Sequence, residues 1–177
     1  AEAAVLRVLG RQSYADDPLR ALRLVRLAAE LAMAPDAETE RLTAAAAPRL
    51  AEPAGERVFG ELRRLLTAPG AIAGLRLAER LGVLAAILPE VAALEGVEQS
   101  RYHHLDVYEH TLAVLEEQIA LLEPDRLAEV LGADAAEVGA VLAEPLADEL
   151  TRGEALRFGA LFHDVAKPQT RAVGEEG

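Results

Sequence analysis

All four histidines fall in two short apolar-flanked segments, Tyr102-His103-His104-Leu105-Asp106-Val107-Tyr108-Glu109-His110-Thr111-Leu112 and Leu161-Phe162-His163-Asp164-Val165-Ala166-Lys167-Pro168. A lone histidine on an apolar helix is more often a hydrogen-bonded structural residue. The His163-Asp164 doublet weighs against that reading. Joined by His110 from another helix, it offers two nitrogens and an oxygen to an octahedral ion such as Mn2+, Ni2+, Co2+ or Mg2+. Water on such an ion is acidified for attack on a phosphate ester. Lys167 follows Asp164 by three and His163 by four, so a continuous helix places its ammonium on the same face, ready to meet phosphate charge. Pro168 marks the end of that helix.

A second set of chemically useful residues lies near the start, in Asp16-Asp17-Pro18-Leu19-Arg20. Asp17 suits a helix N-cap and Pro18 a first helical residue. Arg20 then faces the positive end of the helix dipole, at a cost of a few tenths to about 1 kcal/mol unless a partner offsets it. Asp17 and Arg20, three apart, are expected side by side as carboxylate acceptor and guanidinium donor. Such a pair presents a hydrogen-bonding edge to a nucleobase. The plainer alternative is a capped amphipathic helix with solvated arginines.

The elements that must carry these groups are helices. Ala, Leu, Arg and Glu dominate, with apolar residues recurring at three and four, and the chain reads as all-α. Nine prolines punctuate it as helix starts or turns. Helices are expected from Pro18 to about Met33 and over 38–47, 55–67, 71–81, 83–87, 104–122, 125–131, 134–150 and 152–166, eight to ten in all. The domain boundary is drawn near Ser100, giving a multi-helix domain over 1–100 and a second helical domain over 101–177.

Composition narrows the function classes. The 177 residues are 51% hydrophobic, enough for a real core. Cysteine is absent, which removes disulfides and thiolate metal sites. With no long uncharged apolar run and no basic leader, neither a membrane partner nor a signal peptide is expected, and the cytoplasm is the default compartment. No protein partner is evident. The net charge of -12 argues against a generic nucleic-acid binder. It is unevenly spread, however: residues 109–154 hold twelve acids against Arg126 and Arg152, whereas residues 56–80 carry five arginines against three glutamates. The first half can therefore still touch a phosphate backbone, with Arg23, Arg26, Arg63 and Arg64 as candidates.

The order of short motifs points further. Asp16-Asp17-Pro18-Leu19-Arg20 with Leu22-Arg23-Leu24-Val25-Arg26-Leu27-Ala28-Ala29 resembles the neck motif of the bacterial class II tRNA nucleotidyltransferase and poly(A) polymerase family. The likeness continues through Glu56-Arg57-Val58-Phe59-Gly60-Glu61-Leu62, Leu81-Gly82-Val83-Leu84, Ile87-Leu88-Pro89-Glu90, Gly96-Val97-Glu98-Gln99 and the two histidine segments. The resemblance implies that Asp17 and Arg20 act as a protein template for the base of incoming CTP or ATP, at the tRNA 3′ end. Asp16 stands where the family usually has Glu and is kept as a supporting residue. Glu56 and Arg57 belong to the string that braces the template helix in that family; a surface ion-pair ladder is the plain alternative. The histidine segments resemble the HD phosphohydrolase pattern of His, His-Asp and a distant Asp. That last Asp is absent, since only the acids Glu175 and Glu176 follow Asp164, and His103 and His104 fall outside the core pattern as loop or pocket-rim residues.

The carboxylate pair that holds Mg2+ ions for nucleotidyl transfer is also missing: the chain has no Asp-x-Asp and no strand-rich region to mount it. The family's catalytic head is expected upstream, and the chain is expected to be a fragment: neck plus the beginning of an HD domain. On this reading the chain alone adds no nucleotides. Two alternatives stay open, a metal-dependent HD phosphohydrolase acting on phosphate esters or 2′,3′-cyclic phosphates, and a non-catalytic helical RNA-binding module.

Overall fold

The computed structural model describes residues 4–10, 12–97, 106–147 and 149–170, which fall in two compact units, Ala1–Ala92 and Ala93–Gly177. The all-α expectation holds, with short helices throughout and only two pairs of very short strands among the described residues. His103 and His104 lie outside the described residues, as do Glu175 and Glu176.

The first unit runs β1 (Val5–Leu6), α1 (Gln12–Asp16), α2 (Arg20–Leu31), β2 (Ala34–Pro35), α3 (Ala37–Ala46), a 3-10 turn (Ala47–Ala51), α4 (Gly55–Thr67), α5 (Ala71–Arg80), α6 (Val83–Ile87) and α7 (Pro89–Ala92). β1 pairs with β2 in parallel, Val5 opposite Ala34. Asp36 caps α3 by accepting the Thr39 N–H at 2.8 Å and pairs with Arg7 at 3.0 Å. Inside, Thr43 Oγ1 donates to the Thr39 carbonyl at 2.7 Å, which leaves its oxygen to accept from Tyr14 Oη at 2.6 Å. These bonds satisfy the polar groups that burial of α1 against α3 would otherwise orphan.

α2 is the axis of this unit. Ala21, Leu22, Leu24, Val25 and Ala29 fill its apolar stripe and meet Leu62, Leu65 and Leu66 of α4 and Leu75 and Ala78 of α5, all buried. Two glycines let the helices close up. The Gly70 N–H donates to the Ala29 carbonyl at 3.2 Å, and a Cβ on Gly70 would lie 2.7 Å from that oxygen. A Cβ on Gly74 would lie 2.9 Å from the Ala29 Cβ.

The second unit contains α8 (Val107–Leu121), α9 (Pro124–Leu131), a 3-10 turn (Gly132–Asp134), α10 (Ala135–Leu142), β3 (Pro145–Ala147), β4 (Leu150–Thr151), α11 (Arg152–Phe162) and α12 (Lys167–Thr170). Asp106 caps α8, one oxygen accepting from Glu109 N–H and the other from Gly96 N–H, both at 2.8 Å. Thr151 and Glu154 form a reciprocal capping box at the start of α11. Leu112 and Leu115 of α8 and Leu161 of α11 are fully buried between these helices. α10 has no buried residue and lines, with α9 and α11, a cavity of about 640 Å³.

Three expectations need correction. The helix foreseen over 134–150 ends at Leu142, because Pro145 has no N–H to continue the ladder and the chain folds into the β3–β4 pair, with the Arg152 N–H donating to the Glu144 carbonyl. The helix foreseen over 152–166 ends at Phe162, and Pro168 sits in the first turn of α12 rather than at a helix end. α1 was not foreseen. No helix among the described residues is long and apolar enough to cross a membrane.

Candidate functional site

At the entry to α2 the sequence has Asp17-Pro18, and the structure uses both. Asp17 Oδ1 accepts the Leu19 N–H at 3.2 Å, and its carbonyl accepts the Arg20 N–H at 3.2 Å. Asp17 thus caps a tight first turn before the regular helix begins at Arg20. Its other oxygen, Oδ2, accepts from Arg57 of α4 at 2.7 Å. Burial works to raise the Asp17 carboxyl; the bonds from Arg57 and the Leu19 N–H outweigh it and hold the group below the ordinary aspartate value. The contact therefore contributes fully above the ordinary aspartate range and is lost as pH falls through the lowered value.

Arg20 does not pair with Asp17 as its spacing suggested. Its guanidinium is exposed and donates to the Ser13 carbonyl at 3.2 Å. The two side chains share one end of α2 but are held by different neighbours, Asp17 by α4 and Arg20 by α1. Asp16 is exposed and accepts from Gln12 at 3.3 Å, and Glu56 is exposed in the first turn of α4.

Behind this end lies an ion network. Glu61, 8% exposed, accepts from Arg23 Nε at 2.9 Å on one oxygen and from Arg26 Nε at 2.6 Å on the other. Arg26 also pairs with Glu30, which in turn meets Arg64 at 3.0 Å. Arg26 is 5% exposed, and this corrects its placement among RNA contacts: a guanidinium spent on the buried Glu61 and the half-buried Glu30 has no face for a phosphate. Arg23 and Arg64 are about half exposed at the ends of the network, and Arg63 is half-buried on α4. Sequence reading passed over Glu30 and named Glu61 only within the string expected to brace the α2 helix. Their signals were present: Glu30 follows Arg26 by four, and Glu61 interrupts the apolar stripe of α4 made by Leu62, Leu65 and Leu66.

In the second unit the structure brings together His110, His163 and Asp164, with ligand atoms all within 4.8 Å of one another. Asp164 Oδ2 lies 3.1 Å from His163 Nε2, 3.7 Å from His110 Nε2 and 2.6 Å from Lys167 Nζ. The imidazole rings of His110 and His163 meet edge to face at 5.5 Å. His163 Nδ1 lies 2.7 Å from the Ala160 carbonyl, which can only accept, so the Nδ1–H donates. These donors fit a divalent ion: adjacent octahedral ligands about 2.1 Å from their metal lie about 3 Å apart. Burial works to raise the Asp164 carboxyl, but Lys167, His163 and His110 together hold it below the ordinary value. Lys167, expected to face a phosphate, is turned onto Asp164 instead, because the chain leaves the helix after Phe162 and the Lys167 N–H bonds to the Asp164 carbonyl at 3.0 Å.

Comparison with known proteins places these groups in context. Residues 32–94 match a family described as "Probable RNA and SrmB- binding site of polymerase A". The A-adding tRNA nucleotidyltransferase of Deinococcus radiodurans is 35% identical over 95% of the chain, and the CC-adding tRNA nucleotidyltransferase of Thermus thermophilus 39% identical over 90%. The chain is thus similar to tRNA nucleotidyltransferases over nearly its whole length. It spans about a third of the length of those two relatives, 34% and 32%. A tRNA nucleotidyltransferase crystallised with a primer tRNA and an incoming ATP analog shares the fold, with a TM-score of 0.59 at 23% identity, covering 90% of this chain and 38% of that one. The segment matched as a probable RNA-binding region takes in α3 to α7 but not Asp17 or Arg20.

Proposed function

We propose that this chain is the base-selecting and tRNA-contacting part of a cytoplasmic tRNA nucleotidyltransferase, with Asp17 and Arg20 reading the incoming CTP or ATP at the tRNA 3′ end. The supporting observation is how Asp17 is held. One oxygen accepts from Leu19 and the other from Arg57, so the carboxylate is fixed while each oxygen keeps a lone pair. Arg20 brings further guanidinium donors to the same end of α2. Cytosine and adenine both present an amino donor beside a ring-nitrogen acceptor, the complement of a carboxylate beside a guanidinium. Uracil and guanine present a carbonyl where that amino group would be. The network through Glu61 and Glu30 fixes α2 against α4, and Arg23, Arg63 and Arg64 form the flanking basic surface for tRNA. Nucleotidyl transfer itself, with its Mg2+ ions, belongs to a part of the enzyme outside this chain.

The test is Arg20→Ala in the longer enzyme this reading requires. Preference for CTP and ATP over UTP and GTP is expected to fall about a hundredfold, the scale of one bidentate contact, with tRNA affinity unchanged. An unchanged nucleotide preference removes the template role. The reading also requires a Gly-rich turn and an Asp-x-Asp strand in the gene upstream of Ala1.

A second reading is favoured by the trio in the second unit. His110, His163 and Asp164 would hold a divalent ion of an accessory HD-type phosphohydrolase domain. Bound there, the ion would supply an acidified water and a Lewis acid for phosphate esters. The residues themselves set its position: the Ala160 carbonyl holds the His163 ring through Nδ1, and α8 carries His110 to the same carboxylate oxygen.

A further inference from the structure

We propose that Phe59, with the open strip at Gly60 and the guanidinium groups of Arg63 and Arg64, is a stacking platform for an unpaired base of the bound RNA. The inference rests on the reading of the chain as tRNA-contacting, and it names a side chain that holds a base where that reading names only phosphate contacts. The first unit has two aromatic residues, Tyr14 and Phe59. Tyr14 is buried and bonded to Thr43, whereas Phe59 is 38% exposed on α4. The apolar core of this unit is built from Leu, Val and Ala, so the exposed part of the phenylalanine ring is not needed to fill it.

Helix geometry decides what shares its face. At about 100° per residue, Phe59 lies about 200° round α4 from Arg57, the residue that holds Asp17. The buried Glu61, Leu62, Leu65 and Leu66 take the side that packs on α2 and α5. The outer side carries Phe59 and Arg63, four apart, and Gly60 and Arg64, four apart. Nothing lies within 4 Å of a Cβ built on Gly60, so the helix beside the ring is bare enough for a nucleotide to lie against it. Of the two acids of α4, Glu61 faces inward and Glu56 stands a turn before the ring, which leaves the arginines to meet phosphate charge. Stacking asks only for a π-face, so the platform accepts any base. All four residues fall in the segment matched as a probable RNA-binding region. The base held here is not the incoming one, because Asp17 is held on the other side of α4.

The experiment titrates this chain into short single-stranded oligoribonucleotides carrying 2-aminopurine at successive positions, with a fully paired RNA hairpin as the comparison. Anisotropy gives affinity, and quenching of 2-aminopurine emission reports stacking. The proteins are the wild type, Phe59→Leu, Phe59→Trp and Arg63→Ala, with circular dichroism and thermal melts to confirm folding. Phe59→Leu keeps the apolar bulk and loses the π-face; it is expected to bind the single strand about tenfold more weakly and to lose the quenching, with hairpin affinity unchanged. Phe59→Trp is expected to retain both. Arg63→Ala is expected to keep the quenching at saturation and to make the log–log salt dependence shallower by about 0.7, the slope of one phosphate contact on a single strand. A Phe59→Leu that binds and quenches as the wild type does, or that weakens hairpin binding equally, would overturn the platform while leaving RNA contact standing. If the wild type binds neither RNA at low salt, the RNA-contacting reading of the chain falls and the platform with it.

Discussion

Glu61→Ala is expected to destabilise the chain by about 3 kcal/mol, measured by urea unfolding at neutral pH. Removing one member of a buried ion pair typically costs about 3–5 kcal/mol, because the partner is left charged in a site with little water. Here the partner is Arg26, 5% exposed and held on its Nε by Glu61 alone. Glu30 still faces Arg26, which places the loss at the low end of that range. Arg23→Ala, on the half-exposed side of the same glutamate, is expected to cost under about 1 kcal/mol. Replacing both buried partners together, Arg26→Met with Glu61→Leu, is expected to recover most of the stability, since an apolar pair of similar volume avoids the desolvation cost. If Glu61→Ala and Arg23→Ala cost the same, Glu61 is not the buried anchor described above. The double variant separates stability from function: it rebuilds the packing between α2 and α4 but removes the ionic register behind Asp17 and Arg20.

The same substitution at two glycines is expected to act with opposite signs. Gly70→Ala places a methyl group 2.7 Å from the backbone oxygen of Ala29 and 3.2 Å from its Cα. Neither atom can move without shifting α2, and the Gly70 N–H bond to that oxygen shifts with it. Overpacking costs about 1–3 kcal/mol and a weakened buried hydrogen bond about 1 more, so a loss of about 2–4 kcal/mol is expected. Gly60, in the middle of α4, has nothing within 4 Å of its would-be Cβ. Gly60→Ala is expected to stabilise by about 0.5–1 kcal/mol by restricting the unfolded chain. Thermal unfolding of the two variants checks both signs. A neutral Gly70→Ala would mean that α2 and α5 can separate at no cost, contrary to the close approach at Ala29.

Helix positions were largely legible because they depend on local pattern: 55–67 and 83–87 match α4 and α6. What failed depended on partners distant in sequence. A five-residue helix such as α1 carries too few residues for periodicity to register, and it is held by the Tyr14 contact with Thr43, twenty-nine residues away. At the site, residue types were legible but pairings were not. Spacing of three suggested Asp17 with Arg20, yet Arg57, forty residues on, takes the carboxylate, because a packed neighbouring helix can bring a guanidinium closer than the turn of one helix allows. Arg26 looked like a surface arginine for the same reason: the carboxylate that buries it is thirty-five residues away. The trio in the second unit was the reverse case. His163-Asp164 announces itself as a doublet, and α8 brings His110 to it as expected, while the position of Lys167 depended on where the helix stopped.

The bare surface of α10 gives the second unit an uneven clock. No residue of that helix is buried, and Val130, Val141 and Leu146 nearby stand about half exposed. Its turns can therefore open and close without disturbing Leu112, Leu115 or Leu161, and its amide hydrogens exchange through such local openings. Those of α2, sealed by Leu22, Val25 and the ion network, exchange only when the whole first unit comes apart. The end of the chain that carries Asp17 and Arg20 is thus the slow one. The fast one lies where α9, α10 and α11 surround a cavity, so any neighbour settling there would be met by a helix whose order it must help to supply.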